Sequence, residues 1–307
     1  MANYLVTGGC GFIGSQLVKR LMAAGHAVTI IDDLSNGTTI HPAATLVQQD
    51  ITEFEPIRDL FKGMDGCFHL AAKPTVSIDI EDWFRFHKTN LEGSLNVFKA
   101  AIEAGNIPVV YASSCGVYGN SKQLPLTEDQ VIQPLSSYGC DKLSTELNAG
   151  FLAHDYQLPS IGLRFFNVYG PYQRPSSPYS GVITLFITQL LEAKPLIIFG
   201  DGQQTRDFIF VDDVVDNLMV AMTLKKPGAH VVNICTESSI TINTLADRIS
   251  SIMDIKCIKN HKPARSADVM DSCGSQKKMK SFGFKVSHDL NQGLMETINY
   301  FKTIAGR

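Results

Sequence analysis

Short, continuously apolar runs alternate along this chain with longer stretches of helical periodicity. Residues 4–6 form a compact apolar run, and residues 16–22 repeat apolar side chains at the spacing of an amphipathic helix. The alternation continues, with apolar runs at 27–31, 45–47, 67–70, 107–112 and 159–164, and helical patterns over 81–104 and from residue 138 onward. Strands that are apolar throughout and separated by helices belong to a parallel sheet covered on both faces. The pattern therefore predicts an α/β fold. Composition shifts near residue 171, where Pro171, Pro175 and Pro178 mix with Ser176, Ser177 and Ser180. Such a stretch marks the chain leaving its first domain. Beyond it the pattern predicts a helix over 181–191, strands at 196–199, 208–210 and 230–234, a helix over 212–224 that returns to the first domain, and helices over 244–253 and 290–304. The expected division is residues 1–166 with 207–235 in a first domain, and 167–206 with 236–307 in a second.

The turn after the first strand reads Thr7-Gly8-Gly9-Cys10-Gly11-Phe12-Ile13-Gly14. Glycines at 8, 11 and 14 permit a tight turn, close approach of backbone to a pyrophosphate, and tight packing of helix on strand. The helix that follows presents free N–H groups and the positive end of its dipole. The second strand ends at Asp32, whose carboxylate can accept both ribose hydroxyls of an adenosine and repels a 2′-phosphate. These features predict a Rossmann-type doubly wound parallel sheet holding NAD rather than NADP, followed by a smaller C-terminal α/β substrate domain. Candidate cofactor contacts are Gly8, Gly11, Phe12, Ile13, Gly14, Asp32 and Asn36, then Asp50 and Ile51 around the adenine, and Leu70, Ala71 and Ala72 after the fourth strand. Asn90 lies in mid-course of the predicted 81–104 helix, where Asn is a poor interior residue. Either it caps a local kink or its amide is used, and use is the favoured reading.

Tyr138 and Lys142 stand four apart at the start of a helix, on one face. A free tyrosine titrates near ~10, too high for a proton acceptor at neutral pH. A fixed cation, joined by a cationic nicotinamide, favours the phenolate and makes the tyrosine a usable base. Ser113 and Ser114 arrive at the carboxyl end of the preceding strand, the edge where open parallel sheets bind ligands. Arg206 and Arg265 lie beside turn signals and are candidates for a diphosphate.

Charge and composition exclude several classes. With 44% hydrophobic and 19% charged residues and a net charge of −3, the chain carries no basic footprint for nucleic acid and no polybasic membrane patch. The seven cysteines include no C-x-x-C pair and read as reduced, small hydrophobes, while the eight histidines form no metal-ligand cluster. The expectation is a metal-free protein of the cytoplasm, with no leader at its first residues.

Taken together, Gly8 to Gly14, Asp32, the serine pair, Tyr138 with Lys142, and Asn167-Val168-Tyr169-Gly170-Pro171 resemble the extended short-chain dehydrogenase/reductase superfamily. Within it, the chain is similar to NAD-dependent nucleotide-sugar epimerases of the UDP-glucose 4-epimerase type, over nearly its whole length. The resemblance implies that Tyr138 is the base, that Lys142 is its partner and holds the nicotinamide ribose, and that Ser114 hydrogen-bonds the sugar O4. It further implies that Asn167 meets the diphosphate, that backbone at Val182 and Ile183 meets the uracil, and that Arg206, Arg265 and Asp268 clamp the UDP. The first domain would then bind NAD and the second the nucleotide sugar. Relatives that dehydrate or decarboxylate the sugar carry acids where this chain has Cys115 and Gly116, so the implied reaction is a UDP-hexose 4-epimerisation through a transient 4-keto sugar. Pro74 stands near the place of a lysine in some relatives. Ser272 falls where galactose-restricted relatives carry a tyrosine, which leaves room for an N-acetyl group. Arg174 could instead pair with a C6 carboxylate, the mark of a UDP-glucuronate 4-epimerase; other nucleotide-sugar oxidoreductases are a further alternative. Outside that class stands an NAD-sensing regulator, which has no need of an intact Ser114, Tyr138 and Lys142. The resemblance also implies a homodimer pairing the helices over 81–104 and 138–154.

Overall fold

The computed structural model describes residues 1–74, 80–177, 180–265 and 269–306. Its strands are β1 (Asn3–Thr7), β2 (Ala27–Asp32), β3 (Thr45–Gln48), β4 (Gly66–His69), β5 (Val109–Ser114), β6 (Ser160–Phe165), β7 (Asn167–Tyr169), β8 (Leu196–Phe199), β9 (Thr205–Phe210), β10 (Ala229–Ile234), β11 (Ser239–Thr241) and β12 (Lys259–Lys262). The helices are α1 (Phe12–Ala23), α2 (Phe54–Arg58), α3 (Ile80–His87), α4 (Gly93–Glu103), α5 (Ser137–Tyr156), α6 (Val182–Leu191), α7 (Val211–Thr223), α8 (Ile242–Met253), α9 (Lys277–Ser281) and α10 (Leu290–Ile304).

Seven strands form one sheet in the order β10-β6-β5-β4-β1-β2-β3, with every pairing parallel. One face carries α1 and α7, whose Leu17, Val18 and Leu21 share a core with Val214, Val215 and Leu218. The other carries α4 and α5, with Val97, Phe98 and Ala101 packed near Ala149. The inner strands are mostly apolar because both their faces are buried. The direction of winding reverses between β1 and β4, so a crevice opens at their carboxyl ends.

The C-terminal part builds its own core, in which Ile183, Phe186 and Ile187 of α6 meet Leu245 and Ile249 of α8 and Leu294 and Ile298 of α10. Two small sheets support it, β11-β9-β7 and β12-β8. None of the described helices is long and apolar enough to cross a membrane.

The structure corrects one predicted element. The helix expected over 81–104 is three pieces: α3, a π turn at Lys88–Glu92, and α4. Asn90 lies in the wide turn, its carbonyl taken by the Ser94 hydroxyl at 2.6 Å and its side chain turned onto residue 73. Wide turns of this kind let a side chain out of the helical ladder toward a site. The structure also adds α2, α9, β7, β11 and β12, which the pattern did not announce. β12 reads Lys-Asn-His-Lys and is mostly exposed, so it carries no apolar signal.

Candidate active site

The nucleotide groove is cut by what glycine allows. Gly8 leaves β1 at φ +70, a left-handed conformation that suits a residue without Cβ. A Cβ there would sit 2.6 Å from the Ala71 nitrogen, and one at Gly14 would sit 2.1 Å from the Gly8 carbonyl oxygen. The turn closes through Gly11 N–H donating to Gly8 O at 3.1 Å, and α1 begins at once with no side chain capping it. Its first N–H groups are therefore available to a pyrophosphate.

At the far end, Asp32 is 7% exposed and accepts the Cys10 and Leu34 N–H groups, each at 2.9 Å. Burial raises its pKa against those two donors. One cavity is lined by Gly8, Gly11, Asp32, Asn36, Asp50, Ile51, Leu70, Ala71 and Ala72, and the adjoining one adds Phe12, Ile13 and Gly14. Their free volumes of about 530 and 1030 Å³, counted with space open to solvent, can house an extended dinucleotide. A glycine cradle, an uncapped helix start and an acceptor-only carboxylate fit NAD, and Asp32 beside Asp33 would repel a ribose phosphate.

Asn90 supports the groove from behind rather than lining it. It is 1% exposed, its Oδ1 accepts the Lys73 N–H at 2.8 Å, and its Nδ2 donates to the Lys73 carbonyl at 3.3 Å. Lys73 reaches back across the groove mouth to Asp33 at 3.2 Å and to the Ser35 hydroxyl. Burial alone would raise Asp33, but Ser35 and Lys73 more than offset it and hold the carboxyl below its ordinary value. Beneath the loop, His69 is 1% exposed and bridges Thr7 Oγ1 (2.7 Å) and Ser94 Oγ (2.9 Å). Burial first, and then the Lys142 charge, pull its pKa down to about 3, so it works as a neutral spacer.

Helix α5 starts at Ser136, whose hydroxyl accepts the Gly139 N–H at 3.1 Å in an N-cap. That cap sets Tyr138 in the first turn, half-buried, with Lys142 one turn deeper and 1% exposed. The Lys142 ammonium lies 5.6 Å from the centre of the Tyr138 ring. Burial pulls Lys142 down to about 8, against Asp141 and Glu146, which hold it up. Burial pushes the Tyr138 phenol above its ordinary value, a Cys115 thiolate would add to that, and a hydrogen bond from the Ser114 side chain works the other way. Cys115 is itself pushed up to about 11 by burial, so it is a neutral thiol at pH 7. The structure thus brings Ser114, Tyr138 and Lys142 together, with Ser114 two residues beyond Ala112, which lines the adjoining cavity.

The floor behind the serines is a buried network that sequence reading missed. Ser113 donates to Glu146, and Arg164 grips the same carboxylate with two bonds of 2.9 and 2.7 Å. The Arg164 Nη1 continues to the Tyr118 hydroxyl at 2.8 Å, which donates to Asn233 at 2.7 Å. A fork-to-fork pair of this kind fixes β6 against α5, and the Ser113 bond ties the end of β5 to the same carboxylate. The available signal was Glu146 one turn beyond Lys142, opposite an arginine inside an apolar strand.

The residues expected at the nucleotide sugar are held less tightly. Asn167 donates to the Asp207 carbonyl at 3.1 Å, and Arg206 donates to the Thr205 carbonyl at 2.8 Å while its charge acts on Cys115. Ser272, 5% exposed, lies beside the same thiol. Val182 and Ile183 open α6, which has no side-chain cap and so offers free N–H groups; the Ile183 side chain itself is in the core. Arg265 is exposed and stacks over the Phe199 ring at 3.8 Å. Asp268 lies outside the described residues. Arg174 lines the cavity of the glycine turn and donates to the Asn36 carbonyl at 2.7 Å.

Known proteins share this arrangement. Residues 4–235 match the model of the NAD dependent epimerase/dehydratase family. A UDP-glucose 4-epimerase of Mycolicibacterium smegmatis is 33% identical over 316 residues, covering 97% of this chain and 98% of that protein. The structure of a Thermotoga maritima UDP-glucose 4-epimerase with UDP-glucose superposes with a TM-score of 0.95 at 35% identity, covering 99% of each chain. A UDP-N-acetylglucosamine 4-epimerase of Methanobrevibacter ruminantium, solved with UDP-N-acetylmuramic acid, gives 0.93 at 32% identity, again with 99% of each chain covered. On its glycine-rich groove, its Ser114, Tyr138 and Lys142, and this match through most of its length, the chain belongs to the NAD-dependent epimerase/dehydratase family of extended short-chain dehydrogenases/reductases.

Proposed function

We propose that this protein is an NAD-dependent UDP-hexose 4-epimerase acting through a transient 4-keto sugar. The observation that carries the reading is Ser114, Tyr138 and Lys142 gathered in one place, with Cys115 and Gly116 where an eliminating or decarboxylating enzyme needs an acid or base. When bound, NAD accepts a hydride from the sugar C4 and later returns it. Tyr138 takes the O4 proton as its general base, and Ser114 hydrogen-bonds O4 and orients it. Lys142, a buried cation at pH values below about 8, favours the phenolate that burial alone disfavours. A neutral Cys115 and a bare Gly116 leave the C5 proton and C6 hydroxyl untouched. The ketone therefore turns over in the pocket and is reduced on its other face, with Tyr138 giving the proton back to O4.

UDP-glucose and UDP-galactose are the proposed substrates. The small, buried Ser272 supports acceptance of N-acetylated UDP-hexoses as well. A uronate reading needs the Arg174 guanidinium at the sugar, and here it is engaged at Asn36 on the cofactor side. Asn167, Arg206 and Arg265, with Asp268 and the start of α6 at Val182 and Ile183, make up the proposed UDP site. Exposed Trp83 and Phe84 on α3, with Leu147 and Phe151 on α5, offer an apolar face to a second copy, consistent with a homodimer. The deciding experiment incubates the protein with UDP-glucose, UDP-N-acetylglucosamine and UDP-glucuronate and follows C4 configuration by NMR. Inversion without net NADH is expected; NADH accumulating with every sugar, and no inversion, overturns the reading.

A further inference from the structure

Lys142 needs an anion to stay charged, and its surroundings offer two. Glu146, one turn on, is already committed to Arg164 through two bonds. Asp141, the residue before Lys142 on α5, is 3% exposed, and the partners of its carboxylate are an imidazole and an amide. Its Oδ1 meets the His87 Nδ1 at 2.6 Å and its Oδ2 accepts from the Asn90 Nδ2 at 3.4 Å. In the tautomer with a proton on Nδ1, His87 donates, and the carboxylate is held from two elements, α3 and the π turn. Burying a carboxylate is costly, and a hydroxyl or amide would fill this place without that cost.

We propose that Asp141, clamped by His87 and Asn90, is a positioning residue whose fixed negative charge sets the pH range in which the Tyr138–Lys142 pair works. The inference rests on the epimerase reading above and deepens it. Among the described residues, the charged or titratable groups that act on the pair are Asp141 and Glu146 on α5, His69 from β4 and Cys115 after β5, with His87 from α3 on Asp141 and Arg164 from β6 on Glu146. Asp141 acts on both members of the pair in the same direction: it helps Lys142 keep its proton and makes Tyr138 slower to lose its own. Removing the charge without changing the shape therefore moves both ionisations toward acid.

The test is Asp141→Asn, with Asp141→Ser as a second variant should the first fold poorly, and kcat recorded across pH 5 to 10. The whole bell-shaped profile is expected to slide toward acid by about one pH unit, its height kept within about threefold, so that the rate on the alkaline limb falls about tenfold. A profile that keeps its position and drops at every pH, or one that slides toward alkali, overturns the proposal. A second readout needs no turnover. Tyrosinate absorbance near 295 nm is titrated in NAD-loaded protein, each form against its own Tyr138→Phe counterpart, and the Tyr138 midpoint is expected lower in Asp141→Asn. A wild-type protein that epimerises nothing would defeat the epimerase reading, while the absorbance titration would still decide the role of Asp141.

Discussion

The half that carries the glycine turn and the half that carries most of the proposed UDP site are held in different ways. Around the groove of Gly8 and Asp32, backbone touches backbone and buried side chains lock the loops from behind. At the proposed UDP site, Arg265 is an exposed guanidinium on a single ring. A group that is kept through turnover can be met by rigid surfaces, whereas one that must enter, rotate and leave needs surfaces that give way. Tyr138 stands at the junction of the two.

Breaking that junction should have the largest effect. Tyr138→Phe removes the proton acceptor with little change in packing, and turnover should fall by about three orders of magnitude while bound NAD, extracted and quantified, stays at the wild-type level. Near-normal turnover would remove Tyr138 from its role. Next comes the rigid half: Gly14→Ala drives a methyl into the Gly8 carbonyl, and NAD affinity measured by calorimetry should drop by about tenfold to a hundredfold, equivalent to about 1–3 kcal/mol. The smallest effect belongs to the yielding half. Arg265→Ala, losing an exposed stacked cation, should raise the KM for UDP-sugar a few-fold, about 0.5–1 kcal/mol, and leave kcat alone. If Arg265→Ala cost more affinity than Gly14→Ala, the contrast between the halves would fail.

The same contrast governs what could be read from the sequence. The glycine turn, Asp32 and the Tyr138–Lys142 spacing are local patterns, and in the structure Gly8, Gly11 and Asp32 line one cavity while Lys142 lies beside the Tyr138 ring. Long-range partners were hidden because nothing local marks them. Lys73 closes on Asp33 and Ser35 from a different loop, and Glu146 finds Arg164 across a helix and a strand. Asn90 was noticed as an unusual helical residue, yet the π turn that turns its amide onto Lys73 needs one extra residue per turn, which periodicity at 3.6 cannot register. β12 escaped for the opposite reason, since an exposed strand of lysines, asparagine and histidine owes its place to pairing with β8 and to long-range bonds such as Lys259 to Asp247.

His69 gives the rigid half an acid weakness. Sealed between Thr7 and Ser94, its imidazole has a pKa near 3 in the folded protein against an ordinary 6.5. The unfolded chain therefore binds the extra proton between those values. Stability is intact above about 6.5 and declines as the solution is acidified below it, by up to about 1.4 kcal/mol per pH unit from this residue alone. Urea midpoints taken from pH 7 down to 4 should slope downward, and His69→Asn should flatten that slope. The first strands to let go in mild acid would be β1 and β4, and with them the grip on the dinucleotide.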